Sequence, residues 1–412
     1  MPFRGWLIVA VGFFAQLLAF GCSIAVYGLF IPMLTTEFGA SFMVANLGLS
    51  ILGVVMALAG VVVGPLLDRS SIRALMVAGA LLNGLAFLAM SQATTLWQLG
   101  ILFGVVVASG AALFGPLAAN TVIAKWFDAH RGRAVGIASM GPPTGGMLLA
   151  PLAGTLIASY GWRPTLLVFA ALHVLIIPAI WLVIRNRPED LGQLPDGVAA
   201  NISTPAGSGV APASRQWTTG EVLRAPVFWA LALAMGSAGA VAGAFNANVI
   251  PYAADIGIRL QDAAFFVSAI GATAILGTLG FGLLADRVDN RALFWVVVAL
   301  QGLTFAFLRW VEPGYGSLFG AVLVFGLAAG GLMPLMASVV GQGFGARSFG
   351  RVMGYIGPVT LPFAFLGPPL TGWLRQSTGS YAAAFEMFVG VFVFAGLALV
   401  WLRLPKRAGH AG

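Results

Sequence analysis

Few side chains in this 412-residue sequence could make or break a bond. The three histidines, His130, His173 and His410, lie in separate stretches, and the one cysteine, Cys22, excludes a disulfide framework or a thiolate metal site. Catalysis needs a nucleophile beside a base, or clustered acids, and no such grouping is spaced along the chain. No catalytic residue, cofactor or metal is therefore expected. A Gly-x-x-x-x-Gly-Lys-Ser/Thr loop to cradle nucleotide phosphates is also absent, so ATP is not the energy source. What remains is a scatter of neutral hydrogen-bonding groups in apolar surroundings: Tyr27, Asn120, Asn246, Asn248, Tyr252, Thr278 and Tyr355, with Gln16, Ser23, Asn46 and Ser50 nearby in sequence. Groups of this kind bind a solute without reacting with it. Two acids at the edges of apolar stretches, Asp255 and Glu386, are the candidates for carrying a coupled proton.

The elements that must position these groups follow from the charges. Only 8% of residues are charged and 59% are apolar, against roughly 25% charged in a soluble domain, so polar side chain is too scarce to cover a water-facing surface. A helix crossing a bilayer needs about 20 apolar residues. Charge-free runs of that order recur along the chain, from 5–36 to 352–374, with a last run, 376–402, broken only by Glu386. The run 74–124 is long enough for two spans, and Ser91-Gln92-Ala93-Thr94-Thr95 offers a turn inside it. Strands of a membrane barrel would be about ten residues long with alternating polarity, which is not the pattern here. The expectation is an all-α membrane protein of twelve transmembrane helices in two pseudo-symmetric six-helix bundles. The bundles cover 1–185 and 225–403, with a linker at 186–224 and a tail at 404–412.

Lys and Arg in short loops set the orientation. With both termini cytoplasmic, seventeen of the 21 basic residues lie inside and only Arg163, Arg259, Arg309 and Arg375 outside, as expected of a multi-pass protein of the plasma (inner) membrane. Topology and anionic lipid then account for the net charge of +8, with no nucleic-acid partner. The two halves also repeat. Gly64-Pro65-Leu66-Leu67-Asp68-Arg69 and Gly282-Leu283-Leu284-Ala285-Asp286-Arg287 stand 218 residues apart, and Gly132-Arg133 with Gly136 matches Gly350-Arg351 with Gly354 at the same offset. Chance basic loops would share charge without sharing register.

These Asp-Arg loops, the six-plus-six layout and the central linker resemble the major facilitator superfamily over essentially the whole chain. Arg4-Gly5-Trp6, Lys125-Trp126-Phe127 with Arg131-Gly132, and Arg187-Pro188-Glu189-Asp190-Leu191-Gly192 resemble its oxalate/formate antiporter and monocarboxylate transporter branch. The resemblance implies a secondary transporter working by alternating access, with its solute site near mid-membrane and a monomer as functional unit. It also implies that Asp68, Arg69, Asp286 and Arg287 help hold a cytoplasmic gate. The pattern departs at Ser71 and Asp289, where the loop motif has its second glycine. Carboxylate carriers of the branch have an arginine where Thr278 stands and a histidine replaced here by Asn248, and no lysine on helix 11 compensates. A buried carboxylate needs a cation or several donors, and only donors are available. A dicarboxylate such as oxalate is disfavoured; a monocarboxylate or a neutral, partly apolar solute stays open, as does the alternative of an exporter of hydrophobic or amphipathic compounds.

Overall fold

The computed structural model describes residues 3–127, 130–197, 217–285, 287–344 and 348–401; the side chains of residues 68 and 349–351 also lie outside the description. Within it, twelve long helices follow one another. They are α1 (Gly5–Glu37), α2 (Phe42–Arg69), α3 (Ile72–Ser91), α4 (Leu96–Trp126), α5 (Gly141–Tyr160) and α6 (Trp162–Val183), then α7 (Pro226–Asp255), α8 (Leu260–Ala285), α9 (Asn290–Trp310), α10 (Tyr315–Phe344), α11 (Phe349–Thr378) and α12 (Ala382–Leu399). Ten of them are long and apolar enough to cross a membrane. The other two, α5 and α11, are diluted by Gly, Pro and Thr; α11 alone holds Pro358, Pro362, Pro368 and Pro369. Membrane helices tolerate such prolines because neighbouring helices and hydroxyls re-satisfy the freed carbonyls. Of the predicted linker, 198–216 lies outside the described residues, as does the tail 404–412.

Local chemistry explains where the helices begin. The turn expected within 74–124 falls between Ser91 and Leu96, where Thr95 and Gln98 form a reciprocal capping box that satisfies two free backbone donors of α4. The two departures from the loop motif turn out to be caps. The Ser71 side chain accepts from Ala74 N at the start of α3, and the Asp289 side chain accepts from Arg291 N at the start of α9. Each polar residue thus gives its helix an N-cap that the motif's glycine would lack.

Two irregularities interrupt the helices. The Pro142-Pro143-Thr144 stretch follows a short helix, Arg131–Ala138, and its prolines sit in the first turn of α5, where a missing N–H costs nothing. In addition, α1 and α4 are not regular. Each widens into a π-helical stretch, Gly21–Ala25 in α1 and Leu102–Val107 in α4.

The chain clusters into two compact units. One gathers Met1–Pro205 with Asn246–Gly271, the other Ala206–Phe245 with Ala272–Gly412. In the first, α1 and α5 cross closely at glycines, since a Cβ on Gly145 would stand 2.5 Å from the Leu17 carbonyl oxygen. Without a hydrophobic difference between lipid and side chain, such van der Waals contact is what holds membrane helices together. In the second, the Phe305 ring is packed by Phe245 at 5.1 Å, Phe388 at 4.8 Å and Phe325 at 5.7 Å between centroids. The duplication runs deeper than the loops. Asn83-Gly84-Leu85-Ala86-Phe87 in α3 and Gln301-Gly302-Leu303-Thr304-Phe305 in α9 stand at the same 218-residue offset. Both carboxamides are fully buried, with no hydrogen-bond partner for either amide atom among the described residues.

Candidate functional site

The neutral polar residues do not form a single cluster; α1, α2 and α7 bring some together in the first unit. Asn248 Nδ2 donates to Asn46 Oδ1 at 2.7 Å, and Asn46 Nδ2 donates back to Asn248 Oδ1 at 3.2 Å. The Asn46 amide also donates to the Phe42 carbonyl at 2.9 Å. The pair is buried, Asn46 at 0% and Asn248 at 2% exposure. Beside it α1 and α7 meet at Gly28, where a Cβ would stand 2.7 Å from the Ala247 carbonyl oxygen. Any larger residue would push α7 away.

Farther along α1, Gln16 Nε2 donates to Asn120 Oδ1 on α4 at 3.2 Å. The Tyr27 hydroxyl donates to the Ala45 carbonyl on α2, and its ring stacks on Phe103 at 4.9 Å. Ser23 donates to its own i−4 carbonyl, Ala19. Asn246 is half-buried, Tyr252 buried and Asp255 exposed at the last residue of α7.

In the second unit the predicted residues are apart from one another. Thr278 Oγ1 donates to Ala274 O at 2.9 Å and lies 3.0 Å from Gly330 O on α10, so its hydroxyl ties α8 to α10. Gly277 and Gly330 make that crossing close, since a Cβ on either would collide with the opposite backbone. Tyr355 shares a 3.0 Å hydrogen bond with Thr219, near the start of α11. Glu386 receives Arg309 Nε at 2.5 Å, an ion pair between α12 and α9 with both side chains partly in contact with the surroundings.

Of the gate residues, Asp286 and the Asp68 side chain fall outside the description, while Arg69 and Arg287 are exposed. Next to Asp68, Lys125 Nζ donates to the Leu67 carbonyl at 3.3 Å and so ties the end of α4 to that of α2. The three branch signatures converge at this end of the first unit. Phe127 packs edge-on against Trp6 at 5.0 Å and Phe3 at 5.4 Å, and the Arg133 guanidinium stands 5.6 Å over the Trp6 ring. Trp126 Nε1 donates to the Arg185 carbonyl at 3.0 Å, His130 Nδ1 lies 3.2 Å from Asp196, and Arg187 N donates to Asp190 at 3.1 Å. Residues more than a hundred positions apart thus make one clasp at the beginning of the linker.

Chemically the arrangement offers amides and hydroxyls and no reactive group. Among the described residues no three His, Cys, Asp or Glu side chains gather as a metal site. His173 on α6 is buried against Phe87 and Phe114, with Nδ1 2.8 Å from the Phe169 carbonyl oxygen. Sequence reasoning named Asn46 and Gln16 as polar groups but not as the partners of Asn248 and Asn120. No local signal pairs residues 202 and 104 positions apart. The 218-residue offset is the sequence signal that relates Asn83 to Gln301.

A profile of the Major Facilitator Superfamily matches residues 12–361. Among characterised proteins, "Monocarboxylate transporter 12" of Rattus norvegicus is 26% identical over 359 residues, covering 82% of this chain and 73% of its own. "Monocarboxylate transporter 11" of Homo sapiens is 28% identical over 417 residues, covering 99% and 84%. A crystal structure of a bacterial homolog of the human lysosomal transporter Spinster, inward-facing and occupied, superposes with a TM-score of 0.75 at 18% identity, covering 98% of this chain and 96% of that one. With twelve long helices, ten of them apolar enough to cross a membrane, and a profile match over most of its length, the chain belongs to the major facilitator superfamily, a family of multi-pass membrane transporters and not of enzymes.

Proposed function

We propose that the protein is a secondary active carrier of a small organic solute, a monocarboxylate or a similarly sized, partly apolar compound, moved by alternating access. The observation that carries this reading is the buried Asn46–Asn248 pair on α2 and α7, with Gln16–Asn120 on α1 and α4. Buried carboxamides are costly in lipid and are kept where they meet a partner or a solute. Opening the path would break the first pair and offer both amides to the solute; closing it would restore the pair. The named relatives favour a monocarboxylate as cargo. The absence of a lysine or arginine within α1, α7 or α8 favours a carboxylate held by several neutral donors, or a neutral solute. In this reading both termini are cytoplasmic, Asp68, Arg69, Asp286 and Arg287 serve the inner gate, and the monomer is the working unit. Asp255, which shares α7 with Asn248, is the favoured proton carrier over Glu386 on α12.

The test is counterflow in proteoliposomes with labelled lactate, labelled pyruvate and a fluorescent amphipathic dye. Saturable exchange of lactate or pyruvate that Asn248→Ala impairs supports the proposal. Movement of the dye alone would instead establish the exporter, which the cation-free, apolar interior also suits. An inward proton gradient should stimulate uptake by the wild type and not by Asp255→Asn.

A further inference from the structure

Within the first unit lies a cavity of about 540 Å³, distinct from the amide pairs, in the size range of ligand pockets. Its walls come from α1, α2, α3, α4 and α6 and are almost wholly apolar. Of the lining groups that could bind a polar ligand, Tyr27 donates to Ala45 O, Ser23 to Ala19 O and Trp162 Nε1 to Glu37, which leaves the Cys22 thiol and, at the exposed mouth, the Trp97 indole. A polar solute would find little there to replace its water, so the cavity selects hydrocarbon.

Three further features show where that hydrocarbon comes from. Trp97, Ile101 and Val105 line the cavity at i, i+4 and i+8 on α4, yet all are exposed, Trp97 at 76%. Val44 on α2 is both lining and exposed as well. On membrane-spanning helices an exposed apolar stripe faces lipid, so the mouth is continuous with the bilayer surface of the protein. Second, both π-helical stretches border the cavity, through Cys22 and Ser23 on α1 and through Phe103 and Val105 on α4. Such bulges are rare and concentrate at functional sites. Third, the polar groups at the rim satisfy one another: Trp162 Nε1 donates to Glu37 at 2.6 Å, and Arg163, 4.2 Å above the Trp162 ring, donates to Glu37 at 2.8 Å and to Ala93 O at 3.3 Å, so charge is confined and paired at the first turn of α6 and the interior stays apolar.

We propose that this cavity is a binding site for one acyl chain of a membrane phospholipid, which enters between α2 and α4. The lipid would fill the space between the bulged segments of α1 and α4 and so couple bilayer composition to the helices of the transport path.

The experiment uses the full chain in proteoliposomes containing a phospholipid with a photoreactive diazirine near the end of one acyl chain, and maps adducts by peptide mass spectrometry. Gly100 lines the cavity, and a Cβ built there meets no atom within 4 Å, so Gly100→Phe fills the space without a backbone clash. Gly60, whose Cβ is equally free but which does not line the cavity, gives the control Gly60→Phe. The expected result is adducts on the interior residues Phe30, Met33 or Phe103 in the wild type and in Gly60→Phe. These should be lost in Gly100→Phe and Gly100→Leu, while adducts on the outward-facing Leu85 persist. The proposal is overturned if wild-type adducts are confined to Trp97, Ile101 and Val105. It is equally overturned if the interior adducts survive cavity filling, or if excess pyruvate displaces them, which would make the cavity a solute site. The wild-type map stands even if the filling variants fail to fold.

Discussion

Replacing Asn248 with leucine tests the link between the buried amide pair and access to the path. Two hydrogen bonds, 2.7 and 3.2 Å long, join the buried side chains of Asn46 and Asn248. In membrane proteins such bonds average about 0.6 kcal/mol each, up to about 1.7 kcal/mol. Asn248→Leu also strands the Asn46 side chain, which is 0% exposed and keeps only its bond to Phe42, at a cost of about 1–3 kcal/mol. A shift of about 2 kcal/mol toward any state in which the pair is already broken is therefore expected, roughly a 30-fold change in population. The assay is labelling of a cysteine at Ser50, one turn below Asn46 on α2, by a membrane-impermeant maleimide, after Cys22→Ser removes the native thiol. Rates should rise in Asn248→Leu and in Asn46→Leu. The double variant should rise by less than the two added together, because neither amide is then stranded. If the two effects simply add, leaving a coupling below about 0.5 kcal/mol, the pair holds nothing and the reasoning fails.

Three other outcomes follow from the geometry. Gly28→Val, which drives a side chain against the Ala247 carbonyl, should raise Ser50→Cys labelling as Asn248→Leu does, while Gly53→Val on the open face of α2 should not. Ser71→Ala and Asp289→Ala should each lower the thermal midpoint in detergent through loss of about 1 kcal/mol of capping, whereas Ser71→Gly and Asp289→Gly should cost only a few tenths. Glu386→Gln should lower stability by less than about 1 kcal/mol and leave the pH profile of uptake unchanged, because the Glu386–Arg309 pair is a partly exposed tie between helices.

Sequence alone determined what depends on counting and register. Scarcity of charge dictated helices in lipid, spacing of charge gave their number, and the 218-residue offset revealed the duplication, because a bilayer imposes its thickness on every span. The candidate residues were also legible as types, since an amide in an apolar run is conspicuous wherever it points. Tertiary structure alone decided which of them act together. It paired Asn248 with Asn46, turned Thr278 to bridge α8 and α10, committed Glu386 to Arg309, and made caps of Ser71 and Asp289. Gly28 and Gly277 looked like any of the 55 glycines until the backbones they admit were seen beside them. The physical reason is the same in each case. Lipid tests every residue of a span for polarity, which is a property of the sequence, while partnership depends on which helix faces lie against each other, and that is fixed only when the bundle packs.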